Sequence, residues 1–169
     1  MQHFLVWLEA TDFSTWLRES ESIWAFPTIL TVHTVSMGFL AGVSAAIDLR
    51  MLGFAPRTPL LEMKKFLPVL WISFWVSVVT GINLLIAYPT KAITNPIFYV
   101  KLTLIALSLF VVRLITKRVL TDPDLDLGPA PRNVKALALI SLVCWLLLIW
   151  AGRALPYTYG RLFAIEGRP

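Results

Sequence analysis

Between Glu21 and Asp48 the chain carries no charged residue. At about 1.5 Å per residue, a helix over such a run crosses the hydrocarbon core of a bilayer. The run lies within Ser22–Gly53, and near its middle stands His33, the only histidine outside the N-terminal tail. His33 falls roughly 15 Å below the first apolar residue, close to the expected midplane. An ionisable side chain there is costly and is by default a functional hypothesis. Two readings follow. His33 is a ligand or proton-handling residue, or it is a neutral imidazole satisfied by a hydroxyl or carbonyl on a neighbouring helix.

Helical periodicity puts Phe26, Leu30, His33, Met37, Leu40 and Ser44 on one face. Gly38, Gly42 and Ala45 fall on the opposite face, a small-xxx-small pattern that lets another helix approach closely. The expectation is that this second face packs within the bundle and that the helix is central.

Composition excludes a disordered chain and an ordinary soluble domain. Of 169 residues, 57% are hydrophobic and only 15% charged. The net charge of +5 does not point to nucleic acid, because the basic residues cluster beside apolar spans. They read as topology signals and lipid-headgroup contacts. Cys144 is the single cysteine, so it forms no internal disulfide, and it sits inside an apolar run as a packing residue. No CxxC, CxxCH, HExxH, Walker or GxGxxG pattern occurs, which excludes covalent c-type haem and P-loop chemistry from this chain.

The spacing predicts an all-α, polytopic membrane protein: a four-transmembrane-helix bundle with a short N-terminal amphipathic interfacial helix. Residues 1–21 lack the basic start and apolar core of a signal peptide and read as a surface segment. Phe4, Trp7 and Leu8 make one stripe in it, and Phe13, Trp16 and Leu17 another after an N-cap at Asp12. The membrane domain covers 22–157, and 158–169 form a short tail. Further spans are expected from Phe66 to Tyr88, from Ile97 to Ile115 and from Val134 to Ala151, the last ending in Gly152-Arg153. Ser73, Ser77 and Thr80 form a polar stripe on the second span, read as glue between helices. Thr80 lies at the depth of His33 and is the expected partner of its imidazole. On the third span, Lys101 follows the helix start at Asn95-Pro96 and is placed to meet a quinone oxygen, a haem propionate or a lipid phosphate. Arg113 near its other end either snorkels or pairs with Asp48. The stretch Thr121–Asn133 is a loop.

Counting Lys and Arg beside the spans puts Arg50, Arg57, Lys64 and Lys65 in one inner loop and Lys117, Arg118, Arg132 and Lys135 in another. Both termini are then periplasmic. Arg153, Arg161 and Arg168 in the tail pull mildly the other way. Trp7, Trp16, Trp24, Tyr88, Tyr99, Trp150, Tyr157 and Tyr159 gather as a belt at the outer interface.

Several short patterns occur in a telling order: Ile23-Trp24-Ala25-Phe26-Pro27 before His33, Asp48-Leu49-Arg50-Met51-Leu52-Gly53, Asn95-Pro96-Ile97-Phe98 with Lys101, and Gly152-Arg153 with Pro156-Tyr157. Over about residues 20–157 the chain resembles a family of small four-helix bacterial inner-membrane proteins catalogued only as a domain of unknown function. The resemblance implies the fold and puts His33, Arg50, Lys101 and Arg153 on motif positions; it implies no activity. Many members carry a histidine late in the third helix, where this chain reads FVVRLITKR.

Three functions are in play. The first is a membrane subunit holding a redox cofactor, a b-type haem with His33 as metal ligand and Met37, Lys101 and Arg153 beside it, within an oligomer or electron-transfer complex. Met37, one turn from His33 on the same helix, cannot easily take the opposite face of the same iron. The second is a non-catalytic anchor or assembly subunit, contacting other membrane or periplasmic subunits or forming a homo-oligomer, with a structural His33. The third is a quinone or copper site using His33 with Met37 or Lys101, although copper(I) sites usually take more ligands than this. No self-contained catalytic motif marks the chain as an enzyme.

Overall fold

Helix α3, Phe26–Leu52, starts with Pro27 in its first turn, where a missing N–H costs nothing, and runs without interruption through the uncharged stretch. Gly53 ends it in the left-handed region at φ 107°, which only glycine adopts without strain. Its N–H meets the carbonyl of Arg50 and that of Phe54 meets Leu49, which closes the helix end. The computed structural model describes the backbone of residues 2–126 and 128–165, and their side chains except at positions 2, 124 and 159–165. Leu127 and Arg168, and the side chains of Tyr159 and Arg161, lie outside the described residues.

Two short helices precede α3: α1, Gln2–Glu9, and α2, Asp12–Glu19. The expected single surface segment is therefore a bent pair. Its N-cap is Thr11 rather than Asp12: the Thr11 hydroxyl accepts from the N–H of Ser14, and Asp12 takes the first helical position, where its charge suits the helix dipole. After a 3₁₀ stretch at Leu61–Phe66 come α4, Leu67–Ala87, and the short α5, Pro89–Ile93. Helix α6 spans Pro96–Arg118 and α7 Arg132–Ile165. The last span does not stop at Gly152-Arg153. It continues through Pro156, whose carbonyl-blocking ring ends no hydrogen-bond ladder here. Beside it the Thr158 hydroxyl donates to the carbonyls of Ala154 and Leu155.

The described residues form an all-helical protein with four helices long and apolar enough to cross a membrane. Large apolar side chains such as Ile72, Trp75, Phe110 and Leu146 are more than half exposed on their outer faces, as a bundle solvated by lipid requires. The chain is a multi-pass membrane protein.

Helix α3 packs along α4 on one side and α7 on the other, and α6 packs along α7. Between α4 and α6 there is little direct contact. One apolar core joins Ile47, Met51, Leu60, Ile115 and Leu120 near the basic loops, and a second joins Leu40, Leu70, Val112, Trp145 and Leu148 at mid-depth. At the basic end, Arg50 donates to the carbonyls of Thr58 and Asp126, and the N–H groups of Leu60 and Leu61 meet the backbone and side chain of Asp126. The two basic loops are thereby tied together. At the other end, Asn95 caps α6 through Ile97 N–H and reaches the Leu155 carbonyl and Thr158 hydroxyl of α7.

The pair α1–α2 sits on that same end. Ser14 donates to the carbonyl of Ile86, Arg18 to that of Ala87, and Thr90 to the Glu9 carboxylate. Leu5 and Leu17 are buried beneath while Phe4, Trp7, Phe13 and Trp16 are exposed, so the pair is amphipathic across its thickness.

Candidate functional site

His33 leaves α3 toward α4. Its Nδ1 lies 2.9 Å from Thr80 Oγ1, the partner expected from depth. The Thr80 hydroxyl has one proton, and that proton goes to the carbonyl of Val76 at 2.7 Å. With that proton on the Val76 carbonyl the oxygen accepts from His33 Nδ1–H, the tautomer in which the lone pair is on Nε2. This is the arrangement in which an imidazole is oriented by one nitrogen and free to bind through the other. Gly81 makes room for the ring: a Cβ there would come 3.3 Å from His33 Cε1. Below the imidazole, Ser36 and Ser77 share a buried hydrogen bond of 2.7 Å, so the polar stripe does act as glue along the α3–α4 seam.

A cavity of about 270 Å³ opens beside His33, walled by all four long helices. Met37 and Leu40 of α3, Phe74 of α4 and Leu148 of α7 make much of its apolar wall. Its polar groups are His33, Ser77, Lys101 and Trp145. The Trp145 indole is buried, and its Nε1 has no hydrogen-bond partner. Ile82 of α4 and Leu102 of α6 line the cavity and are about half exposed on the outside, so its mouth faces lipid where α4 and α6 stand apart.

A second cavity, of about 300 Å³, lies on the other side of the same residues. His33, Met37 and Lys101 line both, and Arg153 joins them in the second. The structure thus brings together all of the candidate residues His33, Met37, Lys101 and Arg153. Trp145 had no signal of its own in the sequence; in an apolar run it reads as core.

Two expectations fail. Arg113 does not pair with Asp48: its guanidinium lies 5.5 Å from the centre of the Trp71 ring, and both Asp48 carboxylate oxygens are buried without a well-formed hydrogen bond. A flat aromatic face near the end of the span satisfies the cation without the cost of burying an ion pair. Nor does the Gly38–Gly42 face pack within the bundle. Both glycines are exposed, with nothing within 4 Å of an added Cβ, and they floor a groove edged by Val35, Phe39, Met63 and Phe66.

Among the described residues no group of three His, Cys, Asp or Glu side chains could hold a metal ion. Toward a haem, the chain offers one axial nitrogen at His33 and two cations, Lys101 and Arg153, suited to carboxylates. Met37 sits on the same helix and the same cavity wall as His33, so it would not complete the ligand set of a haem held by His33. Comparison with family models, curated proteins and solved structures finds no match.

Proposed function

We propose that this protein is a membrane subunit that holds a lipid-soluble redox cofactor of the quinone class in the cleft between α4 and α6. The supporting observation is an apolar, lipid-facing cavity whose few polar groups are His33, the Lys101 ammonium and the Trp145 indole N–H, the last buried without an acceptor. A flat ring bearing carbonyl oxygens supplies the acceptors, and the apolar walls take the ring and its tail. His33, with its Nε2 lone pair, is the proton-handling group. Electrons come from and go to other membrane or periplasmic subunits. On this reading the membrane is a bacterial inner membrane, and the basic loops support an orientation with both termini periplasmic.

A b-type haem at His33 is the second reading, favoured by the Thr80 bond that frees Nε2, with the sixth position left open or filled from a second subunit. One experiment separates the two. Protein purified in mild detergent is extracted with organic solvent and assayed for quinone, while an untreated sample is scanned for a Soret band. Quinone that co-purifies with wild type and is lost from Lys101→Ala supports the first reading. A Soret band that His33→Ala removes supports the second. Neither signal, in the protein or in its intact complex, leaves the anchor reading, for which the open groove beside Gly38 and Gly42 provides a helix-sized seat.

A further inference from the structure

Asp48 lies one turn from the end of α3, within the bundle and fully buried. Among the described residues its carboxylate oxygens have no well-formed hydrogen bond, and the hydroxyl that faces them is that of Ser141. No basic side chain among the described residues compensates it: Arg50 is held by Thr58 and Asp126, and Arg113 lies on Trp71. An isolated carboxylate in an apolar interior is among the most costly arrangements a protein can adopt.

Two buried serines stand beside Asp48. Elsewhere in this bundle Thr31, Thr34 and Thr103 turn their hydroxyls back on the carbonyl one turn earlier, which is how such side chains settle in a membrane helix. Ser44 and Ser141 are buried and do not, a state they share with Ser108 of α6, but these two lie beside Asp48 and the Ser141 hydroxyl faces its carboxyl. Asp48, Ser44 and Ser141 meet at one cavity of about 10 Å³, together with Thr116. That is about the smallest void that admits a water-sized particle. The Thr116 hydroxyl donates to the carbonyl of Val112, so its oxygen presents lone pairs only.

The geometry points to a site for a single monovalent cation of sodium's size, held by the Asp48 carboxylate and the oxygens of Ser44, Ser141 and Thr116. Charge decides the valence. One carboxylate among neutral oxygens is neutralised by one positive charge, whereas a divalent ion would leave an uncompensated charge in the bundle and usually takes more oxygens. A proton on Asp48 cancels the same charge, and comparing sodium with choline across pH separates it from a bound cation. This site stands apart from the α4–α6 cleft, with which it shares no lining residue.

The test is thermal unfolding of the purified full chain in detergent, in sodium chloride against choline chloride at equal ionic strength, from pH 5 to 9. Sodium is expected to raise the midpoint saturably, and Asp48→Asn to abolish that response. Ser44→Ala and Ser141→Ala, which remove one oxygen each, should shift the half-saturating sodium concentration upward by roughly tenfold. A wild type that responds to pH and equally in both salts is a buried carboxylic acid, and the proposal falls. It falls too if Asp48→Asn keeps the sodium response. If Asp48→Asn does not fold, the two serine variants decide, and an unchanged half-saturation in both overturns the site.

Discussion

At the scale of single residues, His33 is held by Thr80 rather than by its own helix, and the hydroxyl does two jobs. It anchors Nδ1 and passes its own proton to Val76. Thr80→Val keeps the shape and removes both bonds. The expected loss is about 1 kcal/mol of stability, the usual worth of a hydrogen bond between membrane helices, recovered in Thr80→Ser. Unfolding in mixed detergent micelles measures it. The pairing was legible in the sequence because depth along two spans can be counted from their ends. Trp145 was not. Whether an indole N–H in an apolar run has a partner depends on what the facing helices leave open, and no periodicity encodes that. The same holds for Asp48: its depth was readable, but its want of a cation depended on Arg113 choosing the Trp71 ring.

Among the elements, α1–α2 and α7 depart furthest from the sequence reading. The N-terminal pair does more than float on the lipid surface. Arg18 ties it down, donating to Ser14, to the Ala87 carbonyl and to the Glu9 carbonyl, with the Glu9 carboxylate 3.8 Å away. Arg18→Ala removes these together and should release the pair from α4 while leaving the four spans intact. Hydrogen exchange is expected to rise by tenfold or more over residues 2–19 and to stay unchanged in α3 and α4, since a few charge-assisted bonds carry most of that docking. Protection lost throughout would show instead that the pair is part of the bundle's core. These contacts run to backbone carbonyls far along the chain, which leave no mark in a sequence pattern. The glycine face of α3 was misplaced for a different reason. Lipid is as apolar as a neighbouring helix, so a small-xxx-small stripe looks the same whether it meets this chain or faces outward.

For the whole molecule, the count of spans follows directly from hydropathy, whereas the tie between the two basic loops through Arg50, Thr58 and Asp126 left no mark in the sequence. Orientation is the part that charge alone supports. In a background with Cys144 replaced by Ala, cysteine at Pro59 should react only with reagents that reach the cytoplasm, and cysteine at Thr94 with impermeant reagents added from the periplasm. The reverse pattern would invert the protein and move the aromatic end inside. The gap between α4 and α6 has one more consequence. A molecule that enters through it arrives from the bilayer and not from water, so what governs occupancy is its mole fraction among the lipids. Binding constants measured in detergent will then drift with the amount of detergent present, and only titrations at a fixed ligand-to-amphiphile ratio will report the cavity itself.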